Sequence, residues 1–357
     1  MRMKPLRHTA LFLAVVAGSL VASFCLPVVA IATDVVRITG AGASFPAPLY
    51  QRWFRDYYLA HPEVMVDYQA LGSGAGMINL LEKRVDFAGS DLAMSEQELA
   101  ETDVPIVQIP LTAGAVVLIY HLEGIDALRL SREAVAGIFL GAVTHWNDPL
   151  IAAANPGVDL PKTPITLVAR ADSSGTTFVM TRHLSAISKN FNEQIGTTMT
   201  PQWPDVLKKR GSLLRAHGNG GVTALVRAIP GSIGYTQYAY AHHSNISMAT
   251  LQNKDGQFVT PNDESFKAAV ESFRTEMDLK NLHDPQGAGS YPILTLSWLM
   301  VRKDLTDEVK RKALREVIQY CLTEGQAISG KLGYIPLNKE AIKSILEHNQ
   351  WLGKAAE

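Results

Sequence analysis

After residue 34, the chain repeats one local pattern: a short apolar segment, a loop rich in Ser and Gly, and then a helical pattern. This order is typical of a parallel β-sheet with covering helices. The pattern recurs in the middle of the chain, so we expect an α/β fold throughout. The segments expected as strands before such loops are residues 35–38, 64–68, 85–88 and 165–169.

The N-terminus has the features of a secretory signal peptide. Three basic residues lie among the first seven, and Ala10–Phe24 is an uncharged, mainly apolar stretch. Pro27 then interrupts any helix, and Ala30-Ile31-Ala32 places small residues where a signal peptidase reads the chain. We therefore expect residues 1–32 to be removed and the protein to be periplasmic.

Two other outcomes fit the same segment. It could remain as an uncleaved membrane anchor, because no charged side chain lies between Arg7 and Asp34. It could also belong to a lipoprotein, since Cys25 ends the apolar stretch. Phe24 stands where a small residue should precede a lipidated cysteine, which favours cleavage over lipidation.

Cleavage would leave 325 of the 357 residues and move the formal charge from −1 to −4, because three positive and no negative residues are lost. An acidic chain without a basic, aromatic stripe is a poor candidate for nucleic-acid binding. Cys321 would be the single remaining cysteine, which excludes an intrachain disulfide, and we expect it to be a buried apolar residue. No later segment approaches the ~18 apolar residues of a membrane span.

Four of the loops that follow strands carry hydroxyl groups and precede helices. In open α/β sheets, ligands bind beyond the carboxyl ends of the strands. The free N–H groups and partial positive charge of a helix N-terminus favour anions. Each loop alone is consistent with an ordinary N-cap, but the four together favour an anion site. They are Ser44-Phe45, Ser73-Gly74, Ser90-Asp91 and Arg170–Thr176.

Arg170 supplies the full positive charge of this expected site. Its guanidinium carries forked donors that match a tetrahedral oxyanion. Asp172 lies two residues later, on the same side of an extended chain, and could hold the guanidinium in place. The alternative for Asp172 is a second helix cap.

Asp91 is the unusual member of the set, because a carboxylate repels an anion unless it accepts a hydrogen bond from it. Monohydrogen phosphate carries a proton to donate, whereas sulfate at neutral pH does not. Asp91 therefore favours phosphate as the ligand. The alternative is an N-cap role before Ser95, which forms an expected capping box with Glu98.

Six segments, in this order, resemble the periplasmic phosphate-binding protein of the phosphate-specific ABC importer. They are GAGASFPAPLYQRW (40–53), LGSGAG (71–76), VDFAGSD (85–91), GIFLGAVTHWND (137–148), ARADSSGTTFV (169–179) and GSIGYTQYAYA (231–241). The resemblance implies a non-enzymatic, two-lobe periplasmic-binding-protein fold of type II, with the ligand in the cleft between the lobes. It also implies a phosphate-binding set of Ser44, Phe45, Ser73, Asp91, Arg170, Ser174, Gly175 and Thr176.

The same resemblance, with two extended segments, gives the expected domain boundaries. Lobe I would comprise residues 34–114 and 302–357, and lobe II residues 115–301, with hinge crossings near 115–120 and 293–301. The partners implied are inorganic phosphate and the membrane permease and ATPase subunits of an ABC importer. We expect a monomer without a cofactor or a metal. Ser44 stands where the family usually has threonine, and Ser173 replaces a common glycine.

Three other functions are weaker candidates. A hydrolase would need a nucleophile or metal ligands, but the sequence contains neither an H-E-x-x-H nor a G-x-S-x-G motif, and no Walker lysine follows a glycine loop. A receptor for another tetrahedral oxyanion, such as sulfate or molybdate, differs only in how it would use Asp91. An adhesive or structural protein leaves Arg170 and Asp91 unexplained.

Overall fold

The expected strand–loop–helix order is present in the computed structural model, which describes residues 35–272 and 283–353. The signal peptide expected at residues 1–32, with Cys25, lies outside the described residues. The strands are β1 (Val36–Gly42), β2 (Val64–Gln69), β3 (Phe87–Ser90), β4 (Ile106–Tyr120), β5 (Arg129–Leu130), β6 (Thr166–Arg170), β7 (Leu213–Ala216), β8 (Ser232–Gln237), β9 (Thr250–Gln252), β10 (Phe258–Val259) and β11 (Leu294–Arg302).

The helices lie in the connections between the strands and after the last strand. They are α1 (Ala47–Ala60), α2 (Ser73–Leu81), α3 (Glu96–Glu101), α4 (Arg132–Leu140), α5 (Pro149–Ala152), α6 (Gly175–Ile187), α7 (Lys189–Gln194), α8 (Asp205–Lys209), α9 (Gly218–Ala228), α10 (Tyr238–His243), α11 (Asp263–Glu271), α12 (Glu308–Leu322), α13 (Gln326–Ser329) and α14 (Lys339–His348). Among the described residues, no helix is long and apolar enough to cross a membrane.

Eight strands form one mixed sheet in the order β2-β1-β3-β11-β4-β8-β6-β7, and β10, β9 and β5 form a small second sheet. We call β2, β1, β3, β11 and residues 106–115 of β4 the first half-sheet. Residues 116–120 of β4 with β8, β6 and β7 form the second half-sheet. Within each half, the strands that precede the Ser-rich loops run parallel to one another.

Strand β4 is shared by both half-sheets. Its first part pairs with β11 and its last five residues pair with β8, both antiparallel. Leu111 is the extra residue of a β-bulge, because Thr112 and Pro110 face consecutive residues of β11. A bulge is one of the few places where a strand accepts proline. The sequence predicted only residues 115–120 as extended.

Helix α1 buries the face that its four-residue repeat predicts, since Leu49, Trp53 and Tyr57 are all buried. The C-terminal helices pack here, against β1 and α1: the Trp53 indole donates to the Gly325 carbonyl at 2.6 Å. Cys321 on α12 is fully buried, as expected, and burial raises the pKa of its thiol.

Candidate functional site

The loops after β1, β2, β3 and β6 meet on one side of the shared strand β4. Strands β1, β2 and β3 run parallel to β4 and end towards residue 115, whereas β6 and β8 run antiparallel to it and end towards residue 116, so the two edges that carry these loops face each other. The expected site residues are nearly inaccessible there: Ser44, Ser73, Asp91, Arg170, Ser174 and Thr176 are each at most 4% exposed. Ser90 differs, because its hydroxyl turns back on its own loop and donates to the Leu92 carbonyl at 2.8 Å.

Arg170 ends β6, and its guanidinium is held by the carboxylate of Asp172. Nε donates to Oδ1 at 2.8 Å, Nη2 donates to Oδ2, and the Gly218 N–H donates to the same Oδ1 at 3.0 Å. Burial raises the pKa of Asp172, but the hydrogen bonds and charge of Arg170 outweigh it and leave the pKa below its usual value. Nη1 of Arg170 is buried and bonds to no described residue.

Asp91 lies across from Arg170, at the end of β3. Its Oδ2 accepts from the Thr176 hydroxyl at 3.1 Å and its Oδ1 from the Ser297 hydroxyl at 3.5 Å. Burial raises the pKa of this carboxyl to about 7, although Thr176, Arg170 and Ser297 each lower it. Asp91 is therefore poised to exchange a proton near neutral pH.

Ser73 and Gly175 make a direct contact between the two sides of the site. The Ser73 hydroxyl oxygen accepts from the Gly175 N–H at 3.2 Å and from the Asp91 N–H at 3.4 Å. A Cβ atom on Gly175 would lie 2.4 Å from that oxygen and 2.8 Å from the Cβ of Asp91. Only glycine allows the backbone of α6 to come this close.

Phe45 and Thr176 present backbone donors at the site. Their N–H groups donate to no acceptor within the described ranges 35–272 and 283–353. Phe45 is fully buried, and its carbonyl accepts from the Tyr334 hydroxyl at 2.7 Å. Ser174 is the N-cap of α6, where its hydroxyl accepts from the Thr177 N–H at 3.1 Å.

Sequence reasoning missed Asn219, which is fully buried in the first turn of α9. Its backbone N–H and its side-chain Nδ2 both donate to the Ser44 hydroxyl oxygen, each at 3.0 Å. Tyr240 was missed as well, and its hydroxyl donates to the Ser44 carbonyl at 2.6 Å. Both residues lie on helices that follow strands of the second half-sheet, α9 after β7 and α10 after β8, and they bind the loop that follows β1 of the first half-sheet.

The part of the chain described here contains no cluster of His, Cys, Asp and Glu side chains that could hold a metal ion. The site is instead built from hydroxyls, amides, one guanidinium and one free carboxyl. Such a set can surround a small oxyanion that brings a proton, because the donors face the oxygens and the carboxyl can take the proton.

Comparison with known proteins agrees with this geometry. Residues 28–324 match the family described as the PBP superfamily domain. The chain is 37% identical to the phosphate-binding protein PstS of Pasteurella multocida, over 90% of this chain and 92% of the relative. It is 37% identical to PstS of Xylella fastidiosa, over 88% and 85% of the two chains. The chain belongs to the phosphate-binding protein family of the PBP superfamily.

Solved structures of phosphate-binding proteins have the same fold. A phosphate-binding protein from Stenotrophomonas maltophilia superposes with a TM-score of 0.66 at 22% identity, over 87% of this chain and 93% of that one. A periplasmic phosphate-binding protein solved with phosphate gives a TM-score of 0.69 at 22% identity, over 88% and 93%. The chain thus has the expected two-lobe, type II periplasmic-binding-protein fold. The expectation of a non-enzymatic protein is confirmed by the relatives, which are named as binding proteins.

Proposed function

We propose that this protein binds inorganic phosphate between its two half-sheets and delivers it to an ABC-type membrane importer. The observation that carries the proposal is the pairing of a buried guanidinium that has a free Nη1 with a buried carboxyl across the same site. The first attracts a tetrahedral oxyanion, and the second accepts a hydrogen bond that a protonated oxyanion can supply.

The proposed contacts follow from the donors that the site leaves available. Arg170 uses Nη1, because the other two guanidinium nitrogens, Nε and Nη2, each donate to Asp172. The N–H groups of Phe45 and Thr176 add two neutral donors, and the hydroxyl groups add more. The complete proposed set is Ser44, Phe45, Ser73, Asp91, Arg170, Ser174, Gly175 and Thr176, with Asp172 orienting Arg170. Gly175 belongs to the set through its close approach to Ser73, because its N–H already donates to that hydroxyl oxygen.

Asp91 decides between phosphate and the alternative ligands, sulfate and molybdate. All of these ions are tetrahedral and can satisfy the same donors, so attraction alone cannot separate them. Discrimination needs a group that penalises the wrong ion. A protonated phosphate donates to the Asp91 carboxylate, whereas an unprotonated ion faces that carboxylate with like charge and no hydrogen bond between them, at a cost of roughly 2–5 kcal/mol.

Competitive titration of the parent and Asp91→Asn with phosphate and sulfate at neutral pH tests this role. The amide of the variant can accept from phosphate or donate to sulfate. We expect phosphate affinity to change modestly and sulfate binding to become measurable. Equal rejection of sulfate by both proteins would show that Asp91 does not set selectivity. A parent that binds sulfate as tightly as phosphate would contradict the proposed function itself.

Delivery requires the site to open, and we propose that the shared strand β4 is one of the hinge crossings. Lobe I would hold residues 34–114, β11 and the expected C-terminal residues 302–357, and lobe II would hold residues 115–293. We place the second crossing at residue 293, just before β11, rather than along 293–301, because β11 pairs with β3 and the first part of β4. Val116 donates to the Ile293 carbonyl at 3.0 Å, so the two crossings lie side by side.

The setting of this function follows from the N-terminus and the family. We propose that residues 1–32 direct export and are removed, and that the mature protein works in the periplasm as a monomer. Its partners would be the permease and ATPase subunits of the importer. A pull-down of these subunits that depends on phosphate, using the mature chain, would support this assignment.

A further inference from the structure

Asn219 lies outside the expected phosphate-binding set, yet it donates hydrogen bonds to two members of that set, Ser44 and Thr176. The side chain is fully buried and lies between Ser44 of the first half-sheet and Thr176 of the second. Its position in the first turn of α9 follows β7, at the edge of the second half-sheet.

The orientation of the Asn219 amide is fixed by a backbone donor. Oδ1 accepts from the Gln237 N–H at 3.0 Å and from the Thr236 hydroxyl at 3.3 Å. A backbone N–H can only donate, so the atom that faces it must be the oxygen. Nδ2 must therefore point to the other side, where it donates to Ser44 at 3.0 Å and to Thr176 at 3.3 Å.

This orientation determines what the Ser44 hydroxyl can do. A serine hydroxyl has one proton to donate and two lone pairs that accept. Both lone pairs of Ser44 face N–H groups of Asn219, one from the backbone and one from the side chain. The hydroxyl proton has no acceptor among the described residues. Since both lone pairs are used, Ser44 can only donate to a bound ligand.

The Thr176 hydroxyl is directed in the same way. It accepts from Nδ2 of Asn219 and donates to the carboxylate of Asp91. Ser73 shows an independent version of the pattern, because its two acceptor positions face the N–H groups of Gly175 and Asp91. In both serines, at least one of the N–H donors comes from the opposite half-sheet.

We propose that Asn219 is a positioning residue that turns the Ser44 hydroxyl into an obligate donor towards the bound anion when the half-sheets meet. The inference rests on the proposed function and extends it to a residue outside the expected phosphate set. It explains how a hydroxyl, which could otherwise accept, adds to the donors of an oxyanion site. Asp91 then remains the acceptor that reads the proton of the ligand.

A double-mutant cycle tests the inference through phosphate titration of the parent, Asn219→Ala, Ser44→Ala and the double variant. Each single change should weaken binding about tenfold, the lower range for a hydrogen bond to a charged group. Because Asn219 acts through Ser44, the double variant should be weaker than either single one by no more than about threefold. Independent roles would instead multiply to about a hundredfold.

The same cycle with Ser73→Ala separates this local effect from a general effect on closure. Ser73 takes its donors from other residues, so its loss and that of Asn219 should multiply. Strong coupling of Asn219 to both serines, or to neither, would overturn the inference. Absence of phosphate binding in the parent would overturn the proposed function as well, so the two failures are distinct.

Asn155→Ala is the matched control for the loss of a buried asparagine. Asn155 is 5% exposed and makes three hydrogen bonds with residues 129 and 151, away from the site. We expect this variant to lose stability and keep the parent affinity. If Asn219→Ala does not fold, Asn219→Ser replaces it in the cycle, because its short side chain stays polar near Gln237 but no longer reaches Ser44.

Discussion

The two half-sheets give opposite charges to one buried site. The first contributes Asp91 with the loops of Ser44 and Ser73, and its share of the site contains no cation. The second contributes Arg170 with its paired Asp172, the amide of Asn219 and the hydroxyl of Thr176. In the proposed complex, the guanidinium that attracts the anion would therefore come from one side of the site, and the Asp91 carboxyl that accepts the ligand's proton in a hydrogen bond would come from the other.

Two aspartates make the same contrast within a single residue type. Asp172 and Asp91 are both largely buried, yet the pKa of the first is lowered and that of the second is raised to about 7. Asp172 has two hydrogen bonds from Arg170, whereas Asp91 has only hydroxyl partners. Burial alone does not set the charge of a carboxyl group, because the partner decides the direction.

Arg170→Ala should have the largest effect on phosphate affinity, since it removes the guanidinium that the second half-sheet contributes to the site. A charge-assisted hydrogen bond contributes about 1.5–3 kcal/mol, and buried carboxylates left without a cation add a cost of similar size. We expect phosphate affinity, measured by calorimetric titration, to fall about a thousandfold. Arg132→Ala is the matched control, because it removes a bidentate Arg–Asp pair with bonds of 2.6 and 2.7 Å to Asp284. Wild-type affinity in Arg170→Ala would place Arg170 outside the site.

Asp91→Asn tests the contrast between the two aspartates through the pH dependence of the free energy of unfolding, measured without phosphate. The folded carboxyl titrates at about 7 and the unfolded one near 3.8, so the folded state keeps a proton that the unfolded chain releases. Its contribution is fully present below the unfolded pKa and is lost as pH rises through 7. The loss between pH 5 and 7 amounts to about 2 kcal/mol. The stability advantage of Asp91→Asn over the parent, from urea unfolding, should grow by that amount.

Asp172→Asn should show the opposite trend, and this is the check on the sign. The lowered pKa of Asp172 contributes stability above its unfolded value, and that contribution is lost as pH falls. The variant should therefore be most destabilised relative to the parent at neutral pH and least at acid pH. The same pH trend in both variants would mean that the hydrogen-bond partners of Asp91 and Asp172 do not determine the directions of their pKa shifts.

Gly175→Ala tests the close approach of the two sides without changing any charge. The new methyl group would lie 2.4 Å from the Ser73 oxygen, so the half-sheets must separate to accommodate it. Overpacking of this kind costs about 1–3 kcal/mol, and we expect phosphate binding to weaken about tenfold to a hundredfold. A Cβ on Gly330 meets no atom within 4 Å, so Gly330→Ala serves as the control. Equal affinity in both variants would contradict the proposed closure.

Ser95→Ala should have the smallest effect, because it lies next to the site on the sequence but not in it. The Ser95 hydroxyl accepts from the Glu98 N–H at 3.2 Å, and the Glu98 carboxylate accepts from the Ser95 N–H at 2.7 Å. Loss of the cap should lower the free energy of unfolding by about 1 kcal/mol and leave phosphate affinity unchanged. A clear loss of affinity would show that α3 takes part in binding.

Most residues of the candidate site could be proposed from the sequence because their signals are local. Ser44, Ser73, Asp91 and Arg170 each lie at or just after the end of a strand with an evident apolar pattern. Asn219 follows β7, which is short and only partly buried, so no apolar pattern marked it as a strand. The His-Gly-Asn-Gly sequence at 217–220 carries the same loop chemistry and could have been noticed.

Sequence patterns predicted the strands and helices whose own residues favour that structure. They missed the part of β4 that is stabilised by pairing with a strand distant in sequence. The first part of β4 contains Pro110 and Gly114, which argue against a strand when read alone. Pro110 is accepted because the bulge at Leu111 shifts the pairing with β11, nearly 190 residues later. Nothing in the local sequence reports a partner that far along the chain.

The shared strand β4 has a consequence for how the protein unfolds. Two lobes joined only by flexible linkers would melt as separate units, with two heat-absorption peaks. Here β4 is hydrogen-bonded in both half-sheets. If one half-sheet unfolds, β4 loses its conformation there and the other half-sheet loses support for its edge strand. Heating should therefore produce a single cooperative transition, with a calorimetric enthalpy equal to the van't Hoff enthalpy.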